Sequence, residues 1–467
     1  MLLKYNPVLD TDSYKYSHWL QYPPGSDGYF GYAESRVGSE YKNTMFFGMQ
    51  YLLKSFLSIP VTKDMVDEAE SLVTLHGEPF NRSGWDRLIN VHGGHWPVLI
   101  KAAPEGLLIP ESNVLFTVES TDPELFWIPS FLETQLIRLW YPMTVATASC
   151  HLKKDIGWFH GMTAGNFDAV SFSLHDFGAR GVSSFESSAL GGMAHLVNFA
   201  GSDTIAAIRL AQECYGVEEG LPGYSIPAAE HSTITSWGRD GEEDAYRNMI
   251  KRYGKDGAIF AVVSDSYDIY HAIEHLWGDK LKSEVLDSKA TLVIRPDSGD
   301  PVEVVTKCLN LMRGKFGYTR NRRGYTVLNN VKLIQGDGCS PDSIHDILEN
   351  ITSEGFCATN VAFGMGGGLL QKWDRDTQRF AFKCSAISVD GEWRDVFKSP
   401  ITDPGKNSKA GRLKLIRDLA FQGFHSVPLN AKLKEGEYED ILLPVFKNGE
   451  ILKEYSFDEV RSNSRID

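Results

Sequence analysis

An α/β fold with a parallel sheet at its centre and an α+β region on either flank is predicted by three observations. Through the middle of the chain, short β-rich runs ending in Gly, Asp, Ser or Arg alternate with amphipathic stretches of helical period. The unusual polar residues collect at the ends of those runs. Before about residue 150, and again over the last ~90 residues, the alternation gives way to strand candidates of another kind.

The first run, DAVSFSLHDFGARG (168–181), ends in Asp176 and Arg180, and YSIPAAEHST (224–233) ends in Glu230 and His231. AIFAVVSDSYD (258–268) carries Ser264 and Asp265, and TLVIRPDSGDP (291–301) carries Arg295 and Asp297. VKLIQGDG (331–338) ends in Gly336 and Asp337, and NVAFGMGGG (360–368) ends in three glycines. Between them lie TIAAIRLAQECYG, EEDAYRNMIKRYG, IYHAIEHLWGDKL, VEVVTKCLNLMRGKF and SIHDILENI, each apolar at three- and four-residue spacing. Six such units fit a closed barrel or an open doubly wound sheet, and in both the site lies at the strand C-termini.

The flanks supply GYFGYAESRV, WPVLIKAAP, NVLFTVES and, near the end, RFAFKCSAISV. The expected organisation is an N-terminal α+β region over 1–150, an α/β barrel with the site over 151–372, and a β-rich region over 373–467 that packs with the first. The chain has 467 residues, long enough for two or three domains.

Lys plus Arg number 47 against 61 Asp plus Glu, a formal charge of -14 that argues against a broad nucleic-acid or anionic-membrane surface. Six widely spaced cysteines form no CxxC pair and fit a reducing cytoplasm. The opening residues lack a signal-peptide core, and no apolar run approaches the roughly 20 residues that span a bilayer.

Several motifs carry chemistry. GMGGG after an apolar strand offers backbone N–H groups unobstructed by side chains, which suits a phosphate, although a tight turn is the plain alternative. Arg295 and Asp297, at i and i+2, can point into one cavity. Asp265, Asp297 and Asp337 end three successive strands, as carboxylates sharing Mg²⁺ or holding sugar hydroxyls would; at least one is expected to be only a helix N-cap. His231 has no second His or Cys at zinc-ligand spacing, so core histidine, proton carrier and nucleophile stay open. His175 alone reads as structural, and Lys406 in KNSKAGRLK reads as a solvated charge. Together these parts describe a site for a phosphorylated sugar, Mg²⁺ and a small aromatic partner.

TDSYKYSHWLQYPPG, LHDFGARGVSS, HLVNFAGSDT, PGYSIPAAEHSTITSWG, VVSDSYDIY, IRPDSGDP, IQGDG and AFGMGGGLLQK occur in order over nearly the whole chain. In these motifs the sequence resembles the nicotinamide phosphoribosyltransferase family. The resemblance implies a type II phosphoribosyltransferase: a homodimer with an irregular α/β barrel and sites shared between subunits. It implies the joining of nicotinamide to 5-phosphoribosyl 1-pyrophosphate, with Mg²⁺ on the departing pyrophosphate and ATP as a coupled substrate.

By the same resemblance, Phe177 and a partner subunit's Tyr14 sandwich the pyridine ring, and Asp203 accepts the carboxamide N–H. Arg180 and Arg295 are pocket arginines, while Asp297, Gly336 and Asp337 surround the ribose. Gly367, Gly368, Arg375, Lys383, Lys406 and Arg36 cradle phosphate and pyrophosphate, which takes Lys406 out of the solvated class. His231 becomes the residue phosphorylated by ATP. The resemblance assigns Glu230 no role, which leaves it open only as a partner that orients the imidazole, and Asp265, from its strand-end position, is the candidate for Mg²⁺ held through pyrophosphate. The chain departs from the family pattern at Ala179, Phe172 and Ser173. Nicotinate phosphoribosyltransferase and a non-catalytic binding protein on the same scaffold are the competing readings; Asp203 opposes the first, and the retained polar residues oppose the second.

Overall fold

The computed structural model describes residues 4–402 and 407–465. The chain divides into two compact units, one made of Ala148–Leu210 with Glu219–Lys372 and the other of the segments up to Thr147, Ala211–Glu218 and from Trp373 onward.

The first unit carries six parallel strands: β1 (Leu174–Asp176), β2 (Gly201–Ser202), β3 (Ile259–Val263), β4 (Thr291–Arg295), β5 (Val331–Gln335) and β6 (Val361–Met365). Their order in the sheet is β2-β1-β6-β5-β4-β3. The segment 224–229 then bridges both open edges. Tyr224 bonds to the Gly201 edge, donating to the Ala200 carbonyl at 2.8 Å and accepting from Ser202 N–H at 3.0 Å. Three residues on, the Pro227 carbonyl accepts from Ala261 N–H at 2.9 Å, and Ala229 N–H donates to the Ala261 carbonyl at 3.0 Å. Pro227 has no N–H to offer, so this closing segment makes isolated bridges instead of a regular strand. The sheet is therefore an irregular barrel, as expected.

Helices follow β3, β4 and β5 because each run after the strand end starts with a cap. Asp300 accepts from the Val302 and Glu303 N–H groups at 3.1 and 3.0 Å to start Pro301–Phe316, and Asp268 accepts from Tyr270 and His271 at 3.0 Å each. Ser340 opens Pro341–Ser353 through a capping box. The caps are thus Asp268, Asp300 and Ser340. The expectation that one of Asp265, Asp297 and Asp337 is only a cap is wrong, because each stands several residues before its helix.

The second unit is built on a seven-stranded antiparallel sheet, in spatial order Glu392–Asp395, Phe380–Val389, Ser26–Ser35, Val114–Ser120, Val98–Ala102, Leu443–Lys447 and Glu450–Ile451. Ser26–Ser35 pairs with both Phe380–Val389 and Val114–Ser120, so N- and C-terminal segments share one sheet. A large core of buried aromatic and aliphatic residues, including Trp85, Trp96, Phe116 and Phe131, packs in this unit. The small sheet Phe424–Pro428, Leu413–Asp418, Tyr438–Asp440 belongs to the same unit.

Candidate active site

Side chains alternate along a strand, so the barrel interior can be followed two residues at a time. Ala261, Val293 and Ile334 form a buried apolar cluster against which Phe177, Ile226 and Ala362 pack. Two residues further along β4, β5 and β6 come Arg295, Gly336 and Gly364. A Cβ placed on Gly336 would stand 3.3 Å from Asp297 Oδ1, 3.6 Å from Arg295 Cδ and 3.7 Å from Phe177 Cε2. These three side chains converge on one point at the strand ends. On Gly364 a Cβ would lie only 1.9 Å from Phe177 Cε2, so the ring occupies the space a side chain at 364 would take. Phe177 is held from behind as well, its N–H donating to the Met365 carbonyl at 3.0 Å.

His231 is the first residue of a short helix, His231–Thr235. Its Nδ1 is 3.1 Å from Ser266 Oγ, and its Nε2 is 3.4 Å from Asp297 Oδ2 and 3.8 Å from Asp265 Oδ1. The imidazole is 45% exposed, so a ligand can reach it. Glu230 is not its partner. It caps the helix in a capping box with Thr233 and accepts from the Ser232 hydroxyl. Ser266 takes the orienting role, which nothing in the sequence signals beyond its place after Asp265.

Asp265 is almost fully buried and holds the next loop. Its Oδ2 accepts from Asp297 N–H at 2.9 Å and from Ser298 Oγ–H at 2.5 Å, whereas its Oδ1 receives no hydrogen bond. Arg295 stands 3.8 Å from Asp297 Oδ2, and its own buried Nε has no partner. Asp337 is exposed, and its carbonyl accepts from the Gln335 side chain at 2.7 Å.

Asp203 follows β2 and is exposed, with its N–H on the Asp176 carbonyl at 3.0 Å. Ser225, on the closing segment, donates to Asp203 Oδ1 at 2.5 Å. Sequence reasoning missed Ser225. Below them, burial pushes the Asp176 carboxyl up to about 6, and this group accepts from Gly178 N–H at 2.7 Å. His175 is structural, as its sequence context indicates: burial lowers its pKa, and its Nε2 donates to the Phe172 carbonyl at 3.0 Å.

The two glycine-bearing loops meet backbone to backbone. A Cβ on Gly181 would be 3.2 Å from Gly367 N, and one on Gly178 would be 3.0 Å from the Gly366 carbonyl. Gly367–Leu370 is a helical turn with no side-chain cap, so its first N–H groups stay open beside exposed Arg180 in the turn Ala179–Gly181. Of the residues that break the family pattern, Phe172 packs 6.3 Å from the Tyr224 ring and Ser173 Oγ lies 3.2 Å from His160 Nε2.

The remaining expected residues belong to the sheet unit. Tyr14 is 53% exposed on the turn Ser13–Leu20, edge-on to His18. Lys383 donates to the Phe382 carbonyl at 2.7 Å; burial, then nearby Arg36, Lys15 and Arg375, lowers its pKa against the opposing pull of Glu133. Arg36 Nε is 3.8 Å from Glu34, and Arg375 is exposed beside Asp376. Lys406 lies outside the described residues.

No three His, Cys, Asp or Glu side chains gather as a metal cage among the described residues. Asp265 Oδ2 braces the Asp297 loop, while its buried Oδ1 accepts no hydrogen bond, so one carboxylate oxygen stays open at the position expected for Mg²⁺ held through pyrophosphate.

Two family profiles match the chain. One, described as the nicotinate phosphoribosyltransferase family, covers residues 172–450; the other, described as the nicotinamide phosphoribosyltransferase N-terminal domain, covers 6–100. A protein named nicotinamide phosphoribosyltransferase from Xanthomonas campestris is 55% identical over 461 residues, covering 98% of each chain. One of the same name from Acinetobacter baylyi is 30% identical over 99% of this chain and 97% of its own. A solved nicotinate-nucleotide pyrophosphorylase from Pyrococcus furiosus superimposes with TM-score 0.65 at 16% identity, over 99% of this chain and 96% of its own, which shows a shared fold. Human nicotinic acid phosphoribosyltransferase does so with TM-score 0.57, also at 16% identity, over 97% and 92%. With 55% identity to one such relative over 98% of both chains, this chain belongs to the nicotinamide phosphoribosyltransferase family.

Proposed function

We propose that this chain joins nicotinamide to 5-phosphoribosyl 1-pyrophosphate, giving nicotinamide mononucleotide and pyrophosphate. The observation that carries the reading is the convergence of Phe177, Arg295 and Asp297 on Gly336 at the barrel mouth. An aromatic face, a guanidinium and a carboxylate meet where a glycine leaves room for a ligand. Phe177 provides the stacking surface for a pyridine ring. Asp203 selects the amide: Ser225 occupies its Oδ1, leaving Oδ2 to accept a carboxamide N–H, and a carboxylate there repels nicotinate.

The ring nitrogen of nicotinamide is already a nucleophile, so bond formation at the anomeric carbon needs no base. As pyrophosphate leaves, positive charge develops on the ribose, and the Asp297 carboxylate stands where it stabilises that charge. The glycine loop 366–368 and Arg180 offer the anion contacts. Mg²⁺ enters this proposal only as the counter-ion brought with the pyrophosphate.

ATP coupling through His231 belongs to the same proposal. With Nε2–H directed at Asp297, the Nδ1 lone pair accepts from Ser266 and is the nucleophile. An N–P bond forms to the γ-phosphoryl group, the P–O bond to ADP breaks, and the Nε2 proton is drawn toward Asp297. We further propose a homodimer in which Tyr14, Arg36, Arg375, Lys383 and Lys406 of one subunit complete the site of the other. A cytoplasmic setting fits six free cysteines, and no described helix is long and apolar enough to cross a membrane.

The test is a direct comparison of nicotinamide and nicotinate as acceptors, with phosphoribosyl pyrophosphate and Mg²⁺ supplied. Nicotinamide should be consumed at least tenfold faster; equal or reversed rates would refute the role of Asp203.

A further inference from the structure

In the sheet unit, a cavity of about 350 Å³ lies between the large sheet and the strand Leu413–Asp418. Its volume lies within the range of small-molecule sites. One wall is a cross-strand row set by the register: Phe30 opposite Glu119, Glu119 opposite Leu99, Leu99 opposite Lys447. Lys101 stands two residues beyond Leu99 on the same face, between Ile100 and Ala102, both fully buried on the opposite face. Lys414 faces the cavity from the small sheet.

The charges do not balance. Glu119 is taken by Arg412, at 2.9 and 3.2 Å, and the Arg412 guanidinium also lies over the Trp393 ring at 4.8 Å. Asp440 Oδ1 accepts from the Leu442 N–H at 3.3 Å. Among the described residues, no carboxylate forms an ion pair with Lys101, Lys414 or Lys447, although Lys101 and Lys414 are half-buried. Lys101, Lys414 and Lys447 line one hollow in which Asp440 is, among the described residues, the one carboxylate not paired with a cation, so the lining carries a net positive charge in a chain of net charge -14. A ligand with two or more negative charges on a compact group offsets that charge, and the leucine walls fit a small apolar remainder.

We propose that this cavity is a binding site for a small phosphate-bearing metabolite, separate from the barrel-mouth site, with Lys101, Lys414 and Lys447 as its anion contacts. The probe is inorganic pyrophosphate, titrated calorimetrically into the full chain and into the Lys101→Gln/Lys414→Gln double variant. The parent should bind one more pyrophosphate per chain than the double variant, whose KM values for both substrates should stay within about twofold. Lys447→Glu, a change at an exposed side chain, covers the case in which the double variant does not fold, and should weaken that extra site at least tenfold. Equal stoichiometry and affinity in parent and variants would overturn the proposal. So would a loss of binding matched by an equal rise in KM for phosphoribosyl pyrophosphate, which would assign these lysines to the catalytic site. The titration needs no turnover, so its outcome is independent of the proposed reaction.

Discussion

Asp265 Oδ2 accepts the backbone N–H of Asp297 at 2.9 Å, so one buried carboxylate positions another that lies next to His231 and Arg295. The same oxygen holds the Ser298 hydroxyl. Removing a charged acceptor costs roughly 1.5–3 kcal/mol per hydrogen bond. Asp265→Ala is therefore expected to lower kcat/KM by about 10- to 100-fold, since each ~1.4 kcal/mol is a factor of ten. Asp265→Asn keeps an acceptor oxygen and should fall between parent and alanine variant. Steady-state kinetics with a thermal melt as the folding control decides the matter. Full activity in the alanine variant would show that the Asp297 loop holds itself.

Gly364 matters because Phe177 lies on it. In Gly364→Ala the new methyl would sit 1.9 Å from Cε2 and 2.2 Å from Cδ2 of the ring, so Phe177 must leave its place above the Ala261–Val293–Ile334 cluster. Overpacking of this kind costs about 1–3 kcal/mol of stability. The functional effect should be larger on nicotinamide, with KM raised at least tenfold, than on phosphoribosyl pyrophosphate. Gly314→Ala, on the helix Pro301–Phe316, is the control, since a methyl there meets nothing within 4 Å. If both variants bind nicotinamide like the parent, Phe177 is not the stacking surface.

The barrel from residue 258 to 365 was legible because its strands are β-rich runs of about five residues, each ending in a polar or glycine loop. Gly201–Ser202 was not, because two residues carry no periodicity. The closing segment around Pro227 announced a strand end but not its part in joining both edges, a relationship between residues distant in sequence. The same limit applies to the site. Asp297, Arg295 and Phe177 stood out by type and position, whereas Ser225 and Ser266 act through hydrogen bonds that only the folded barrel creates. Glu230 shows the same limit: it adjoins His231 in sequence, but its carboxylate accepts from the Ser232 hydroxyl instead.

The Asp176 carboxyl gives a pH signature. Burial raises its pKa from 3.8 to about 6, against the lowering effect of hydrogen bonds such as the one from Gly178 N–H. Between these two values the folded chain holds a proton that the unfolded chain has released. Stability from this group is therefore lost as pH rises from about 4 to about 6, and the loss persists above that range. Two pKa units correspond to about 3 kcal/mol as an upper estimate. Asp176→Asn cannot ionise, and its amide oxygen can still accept from Gly178. Relative to the parent, this variant should become progressively more stable between pH 4 and 6, by about 1–3 kcal/mol, with a constant difference from pH 6.5 to 8. Urea unfolding at pH 4, 5, 6 and 7.5 measures the gap. A difference that does not change with pH would mean that Asp176 ionises as readily in the fold as out of it, and that burial beneath Asp203 exacts no electrostatic cost.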